Sequence, residues 1–161
     1  MTRGILPFWL WVDIAPLDVQ QMATDNVYDD DWREPLKVDG NADGLGEEQR
    51  REGATITIKG NPERDRDELR RMTRGGDLAD SAIGIVVRTL DLELAGQINA
   101  DGSLIFKKGD RLVEIRDKRG LVVDNFTRTP LYLEHAMRLQ ADIGHTSNHA
   151  LMLFTNRKLG A

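Results

Sequence analysis

The residues of this chain best suited to metal chemistry are its three histidines, His135, His145 and His149, which lie close together near the C-terminus. Three imidazoles with an open fourth position form a catalytic zinc site. However, His145 and His149 stand in a polar Gly/Ser/Asn segment without helical periodicity, so their spacing does not place them on one helix face. We therefore expect solvent-facing loop histidines rather than a zinc site.

A second candidate for metal binding is segment 39–44, which has the sequence Asp-Gly-Asn-Ala-Asp-Gly. Its alternating oxygen ligands and its Gly match the first half of a calcium loop. The twelfth position of such a loop supplies a bidentate Glu, but here it is Arg50. The sequence therefore predicts a turn-rich acidic loop at this position, and it predicts no cofactor for the chain.

Motifs for covalent or nucleotide chemistry are missing from the sequence. It has no Cys, which excludes thiolate catalysis, disulfides and Cys-ligated metals. It contains neither a G-x-S-x-G nucleophile elbow nor a glycine-rich phosphate loop. Charged residues make up 30% of the chain, but no pattern places two carboxylates in an apolar pocket. We therefore predict that the protein is not an enzyme.

The basic side chains form two groups that are candidates for contacts with a partner. Both groups are interleaved with acids, which is typical of a solvated surface or of a subunit interface made by opposite charges. The predicted interface arginines are Arg64, Arg66, Arg70, Arg71 and Arg74, and the predicted hairpin-tip contacts are Lys107, Lys108, Arg111, Lys118 and Arg119.

Turn residues between short apolar runs predict that β-hairpins carry these tips. In segment 99–126, Asn-Ala-Asp-Gly, Lys-Gly-Asp and Asp-Lys-Arg-Gly separate three predicted strands at 104–106, 112–115 and 121–123. Glycine supplies the positive φ that such turns require. Repeated hairpins of this kind are typical of small barrels, which are platforms for binding.

Hydrophobic alternation predicts further strands at 54–59 and 150–155. A long strand is predicted at 83–94, with a β-bulge where the alternation slips by one residue. Segment 130–137 fits a strand or a short helix. The charged segment 61–76 fits a short solvated helix or a mobile loop.

The predicted fold class is therefore all-β, a small β-barrel with long loops and an extended N-terminal arm. We assign residues 51–161 to the barrel domain, with a long charged loop near 60–82, and residues 1–50 to the arm because their periodicity is poor.

The N-terminal arm contains an apolar run at 5–12 that is about half the ~20 residues needed to span a bilayer. Asp13 interrupts the run, so we predict neither a membrane span nor a signal peptide. Phe8, Trp9 and Trp11 in this run are candidate anchors for an interface with a partner. The alternative is a terminal strand that packs on the chain's own core.

The net charge of −5 argues against tight binding of duplex DNA, which a basic surface would favour. A DNA-binding surface would also place aromatic rings beside basic side chains for stacking. Near the basic turns, the sequence offers only Phe106 and Phe126, which alternate with aliphatic residues and are expected in the core.

A pattern of turns and apolar positions over residues 54–157 resembles small neck proteins of tailed bacteriophages, the head-to-tail connector or head-closure (stopper) proteins. The pattern comprises Asp67-x-x-Arg70-Arg71, Gly75-Gly76-Asp77-Leu78-x-Asp80-Ser81, Ile85-Val86-Val87, Asp91-Leu92, Asp101-Gly102, Lys108-Gly109-Asp110-Arg111-Leu112 and Asn148-x-x-Leu151-x-x-Phe154-x-x-Arg157.

This resemblance implies a structural virion protein, made in the host cytoplasm, that forms a six- or twelve-fold homo-oligomeric ring in the neck. The expected partners are a portal protein or adaptor above the ring and a tail protein below it. Packaged DNA would pass through the lumen without sequence-specific binding, and the ring would help to retain it. The alternatives are an SH3-like β-barrel that binds nucleic acid, supported by the Lys-Gly-Asp hairpin, and an enzyme built on the histidines.

Overall fold

The computed structural model describes residues 10–31, 33–35, 37–38, 47–48, 50–73, 81–138 and 149–156. This part of the chain is mainly β, with a closed six-stranded antiparallel barrel and one additional strand, which confirms the predicted fold class. The strands are β1 (Leu10–Ala15), β2 (Tyr28–Asp29), β3 (Glu34–Pro35), β4 (Lys37–Val38), β5 (Glu47–Glu48), β6 (Ile56–Glu63), β7 (Ile83–Arg88), β8 (Arg111–Arg116), β9 (Val122–Asn125), β10 (Leu131–Arg138) and β11 (His149–Thr155). The helices are α1 (Val19–Thr24), α2 (Arg66–Met72) and α3 (Thr89–Leu94).

The barrel strands follow the order β1-β6-β7-β11-β10-β8, and pairing between β8 and β1 closes the ring of strands. Strand β9 is the additional strand, and it pairs with the second half of β8. The short pairs β2–β3 and β4–β5 form two separate two-stranded sheets. The predicted strands at 112–115, 121–123 and 150–155 correspond to β8, β9 and β11.

Strand β1 is an integral part of the barrel, although the sequence assigned it to an extended arm. Val12 lies opposite Ile58 of β6 and Ile115 of β8, so β1 is hydrogen-bonded on both edges. Val12 and Ile14 are fully buried. Of the two interpretations of the apolar run, the terminal strand on the chain's own core is therefore the one observed for β1.

Alternate side chains of the barrel strands fill one hydrophobic core. The inward-facing residues of β11 are Ala150, Met152 and Phe154, all fully buried. Phe106 and Phe126 belong to the same cluster, as their alternation with aliphatic residues predicts. Binding chemistry is therefore left to the outer surface and the ends of the barrel.

The outer face of β11 is also buried, because helix α2 packs on it. Leu69 of α2 forms a second apolar cluster with Leu151 and Leu153. The helix is the observed form of the charged segment, and it begins at the cap Asp65, whose carboxylate accepts a hydrogen bond from the Asp67 amide. Acids in its first turn and arginines in its last turn both stabilise the helix dipole.

The predicted long strand at 83–94 is wrong beyond Arg88, where the chain turns into helix α3. The Gly96 amide donates to the Glu93 carbonyl, and the Gln97 amide donates to the Leu92 carbonyl. With Gly96 at a φ of +72°, these two bonds form a Schellman motif that ends the helix. Alternating leucines therefore mark a helix with one buried residue, Leu92, rather than a bulged strand.

The strand predicted at 104–106 is also not formed, although the turns around it are. The Gly102 amide donates to the Asn99 carbonyl, and Gly102 and Gly109 both have positive φ as predicted. Only an isolated bridge joins Ile98 and Leu104. Segment 130–137, for which a strand and a helix were both open, is strand β10.

Candidate interaction surface

The outer face of β8, β1 and β6 carries Trp11, which lies opposite Lys59 on one neighbour and Arg116 on the other. The Lys59 ammonium lies 5.2 Å from the centre of the Trp11 ring, within the range of a cation–π contact. Trp11 is partly exposed. We call this region, with Thr57 beside it, the Trp11 surface.

Asp13 anchors the Trp11 surface through a fork-like ion pair with Arg116. The Arg116 Nε and Nη2 atoms each donate to the Asp13 carboxylate at 2.9 Å, and the Thr57 hydroxyl donates to it at 2.6 Å. Burial alone would raise the pKa of Asp13, but hydrogen bonds from Arg116 and Thr57 outweigh it and hold that pKa below its usual value. The arrangement fixes the Arg116 side chain beside Trp11.

Two shallow depressions adjoin Trp11, and both include Thr57. The first has a volume of about 310 Å³ and is bounded by Asp91, Leu94 and Ala95 of the α3 region. The second has a volume of about 440 Å³ and is bounded by Arg116 and the β8–β9 turn, at Lys118, Arg119 and Gly120. Trp11 therefore lies between helix α3 and the β8–β9 turn. The structure thus brings together three predicted contact residues, Trp11, Lys118 and Arg119.

The large apolar side chains that are exposed in the described residues fall into two patches, one that follows the β8–β9 turn and one on α3. The β9 patch consists of Leu121, Val122 and Val123, which are 63%, 52% and 60% exposed. The α3 patch consists of Leu90 and Leu94, at 56% and 79%. Residues four apart share one face of a helix, so the two leucines are neighbours. Leu121 and Val123, two residues apart, share one face of the extended segment. Exposed apolar side chains that neighbour one another are typical of interaction sites.

Strand β9 is the end strand of its sheet, and its outer edge has no strand partner in the described part of the chain. Such an edge presents backbone donors and acceptors that another chain can pair with. The sequence predicted the basic turn beside β9 as a contact, but it missed the apolar edge. The available signal in the sequence was the run of three consecutive aliphatic residues, Leu121, Val122 and Val123.

Arg111, predicted as a hairpin-tip contact, is instead part of an internal ion-pair cluster. It donates two hydrogen bonds of 2.8 Å to Glu52, and Arg50 donates a third to Glu52 at 2.6 Å. Arg50 also donates to the Gly109 carbonyl and lies 5.0 Å from the centre of the Tyr132 ring. Burial would raise the pKa of Glu52, but the hydrogen bonds from Arg111 and Arg50 lower it. The cluster joins segment 50–52 to β8 and β10.

Asp110 is a buried acid that ties together distant parts of the fold. It is fully buried, and its carboxylate accepts hydrogen bonds from the Leu17 amide at 2.8 Å and the Lys107 amide at 2.9 Å. Burial raises its pKa against these hydrogen bonds and the nearby Lys107 ammonium. The Nζ atom of Lys107, a predicted contact, lies 3.6 Å from Asp110 Oδ1. Lys107 and Lys108 are both exposed.

Arg64 lies at a different site, a groove of about 700 Å³ between the ends of β6 and β9. Its guanidinium is paired with Asp124 across the groove. Phe126, Leu131 and Tyr132 line the same groove. This site is separate from the Trp11 surface.

The remaining predicted arginines lie on helix α2 where the structure describes them. Arg70 is exposed, Arg66 is partly exposed, and Arg71 is paired with Glu68 one turn earlier. Their position on the outer face of β11 separates them from Trp11. Phe8, Trp9 and Arg74 lie outside the described residues.

The metal candidates gain no support from the described part of the chain, where no three His, Cys, Asp or Glu residues form a metal-binding group. His135 lies opposite Leu153 on β11, and Leu153 is four residues from His149 on the same strand. At the rise of a β-strand, His135 and His149 are therefore roughly 13 Å apart along β11. His145 and the predicted acidic loop at 39–44 lie outside the described residues. Arg50, the residue that departs from the calcium-loop pattern, belongs to the Glu52 cluster.

Comparison with family models, curated proteins and solved structures finds no match to this chain. Among the described helices, none has the length and apolar character needed to cross a membrane. The features of the described residues that bear on function are the Trp11 surface and the two exposed apolar patches.

Proposed function

We propose that this protein is a structural virion protein of a tailed phage that assembles into a ring in the neck, between the portal and the tail. The observation that carries the proposal is the distribution of exposed apolar residues, which lie in two patches on the outside of a closed barrel. A barrel whose inside is a packed core and whose outside carries apolar patches is suited to assembly rather than catalysis.

The turn and apolar pattern that resembles phage neck proteins supports the same function. A ring needs contacts that repeat from one subunit to the next, and chemically different surfaces on one chain provide them. The net charge of −5 is compatible with a channel through which DNA slides, because extensive neutralisation of phosphates would hold the DNA in place. The ring would bind a portal protein or adaptor on one side and a tail protein on the other.

The purified protein tests this proposal through its mass and shape. We expect multi-angle light scattering to give a six- or twelve-fold mass at high protein concentration, or in the presence of portal rings. Negative-stain electron microscopy should then show rings with a central channel. A protein that stays monomeric at every concentration and does not bind portal assemblies would refute the proposal.

The second candidate function is nucleic-acid binding by an SH3-like barrel, and the Trp11 surface is the observation that favours it. Trp11 lies beside Lys59, and the adjoining depression contains Lys118 and Arg119. An exposed aromatic ring among basic side chains is suited to stacking on single-stranded bases. A titration of the protein with fluorescent single-stranded DNA at low salt separates the candidates. Saturable binding that Trp11→Ala weakens and salt abolishes would favour this function, whereas no binding at low salt would remove it.

A further inference from the structure

The two apolar patches differ in the charges that accompany them. The β9 patch directly follows Lys118 and Arg119, which are both exposed on the β8–β9 turn. The α3 patch contains an acid, because the exposed Glu93 lies next to Leu94 and three residues after Leu90 in the helix. Asp91 of the same helix is already held by two hydrogen bonds from Arg88. One chain therefore carries a basic apolar surface and an acidic apolar surface.

The α3 patch and the turn that precedes the β9 patch lie on opposite sides of Trp11. Leu94 bounds one depression, while Arg119 and Gly120 bound the other, and Trp11 with Thr57 lies between them. Two copies can therefore bind through the β9 patch of one and the α3 patch of the other. Each copy then keeps its second patch available for a further copy. Such a contact is head-to-tail, and repetition of it gives a ring when the rotation closes.

We propose that the β9 patch of one copy packs against the α3 patch of a second copy of this chain, with Arg119 facing Glu93. The inference rests on the proposed ring function and names the surface that joins its subunits. Leu121 and Val123, which are two residues apart and share one face of the extended segment, would bury their exposed side chains against Leu90 and Leu94. The opposite charges would select the pairing. Because the same chain carries both the basic β9 patch and the acidic α3 patch, the partner that each patch fits is a second copy of this chain.

A charge exchange tests the predicted pair. We expect Arg119→Glu or Glu93→Arg alone to weaken association of the subunits about tenfold, measured by sedimentation velocity over a concentration series. The double variant should restore association to within about threefold of the wild type, because the pair is re-formed with reversed signs. The matched controls are Arg33→Glu and Asp30→Lys, since both residues are exposed in the β2–β3 turn and line neither depression.

A mixing experiment tests whether the contact is head-to-tail. Val123→Glu removes the β9 patch and Leu94→Lys removes the α3 patch, and both residues are exposed, so both variants should fold as the wild type does. Each variant alone should be monomeric. An equimolar mixture should form a dimer and no ring, because only one intact contact remains. Thermal melting of each variant checks that folding is unchanged.

The outcomes separate the inference from the proposed function. If the wild type forms rings and the Val123→Glu and Leu94→Lys variants form them too, the subunits contact each other elsewhere. That result would refute the proposed contact but would leave the proposed ring function intact. If Leu94→Lys alone still dimerises, the β9 edge pairs with itself and the head-to-tail contact is wrong. If the wild type stays monomeric at every concentration and does not bind portal rings, both proposals fail.

Discussion

Asp110 is a buried residue whose side chain connects distant segments of the described structure. Its carboxylate holds the amides of Leu17 and Lys107 with almost no exposure to water. Removing a buried acceptor leaves its donors without a partner, which costs more than the bonds contribute when formed. The site is therefore a sensitive point of the fold even though it is not placed in the proposed interface.

We predict that Asp110→Ala lowers the free energy of unfolding by about 2–4 kcal/mol, because two buried amides lose their acceptor. Urea denaturation followed by circular dichroism measures this change. The matched control is Asp101→Ala, because Asp101 also accepts a backbone amide, from Ser103, but at an exposed turn. Equal effects of the two substitutions would contradict the role given to the buried carboxylate.

Glu52 gives the protein a predicted loss of stability in acid. Its pKa in the folded protein lies below the usual value of 4.5, since hydrogen bonds from Arg111 and Arg50 outweigh burial. The unfolded chain therefore binds protons more readily, so this contribution to stability is present above pH 4.5 and decreases as the pH falls through the folded pKa. The pKa of Asp13 is also lowered, from its usual value of 3.8, so Asp13 likewise contributes stability that is lost as the pH falls below that value.

Glu52→Gln should therefore make the free energy of unfolding depend less on pH below about 4.5, while lowering it at neutral pH. Urea unfolding at a series of pH values measures the slope. Asp30→Asn, a change at an exposed acid, should leave the slope as in the wild type. An unchanged slope in Glu52→Gln would show that the Arg50 and Arg111 contacts do not lower the Glu52 pKa.

At the scale of the elements, Gly60 shows how close packing between β6 and β7 depends on a missing side chain. A Cβ atom at this position would lie 2.6 Å from Ile85 Cγ2 and 3.1 Å from Val87 Cγ1. Both neighbours are β-branched and have few alternative rotamers. The inward face of β7 thus fills the space that a side chain on Gly60 would need.

We predict that Gly60→Ala destabilises the fold by about 1–3 kcal/mol through overpacking. Differential scanning calorimetry would record the change as a lower melting temperature. Gly53→Ala is the matched control, because its Cβ would meet its nearest neighbour, Pro16 Cγ, at an ordinary 3.4 Å. A melting temperature of Gly60→Ala equal to that of the wild type would mean that β7 shifts without cost.

The elements that the sequence predicted well are those in which pattern and burial agree. The strand at 150–155 is apolar except for its last residue, Thr155, and it is buried on both faces, by the core and by Leu69 of α2. Helix α3 was missed because Leu90, Leu92 and Leu94 alternate as they would in a strand. The signal for a helix end was Gly96 after Ala95, but a glycine is equally common in a turn after a strand. The Schellman hydrogen bonds of the structure identify it as the end of a helix.

The candidate site was predictable only in part, since it is assembled from segments far apart in sequence. The sequence marked Trp11 and the Lys118-Arg119 turn separately, but pairing of β1 with β8 is what places them side by side. No local pattern specifies that pairing. The same long-range pairing explains why the sequence did not place β1 in the barrel, because its partners β6 and β8 lie far away along the chain.

At the scale of the whole molecule, strand β1 closes the barrel, so its stability should be that of the entire fold. It pairs with β6 on one edge and β8 on the other, and without it both strands would become exposed edges. Elements that join two otherwise unconnected edges unfold with the global transition rather than locally. A detachable arm would behave in the opposite way, with rapid local opening.

We predict that Ile14→Ala lowers the free energy of unfolding of the whole protein by about 2–5 kcal/mol, because a fully buried side chain leaves a cavity in the common core. Native-state hydrogen exchange should give the β1 amides the same opening free energy as those of β11, and Ile14→Ala should lower both equally. Gln20→Ala, which truncates an exposed residue of α1 outside the proposed interface, should change neither. Fast exchange confined to β1, with β11 unaffected by Ile14→Ala, would instead mean that the barrel stays folded when its first strand leaves.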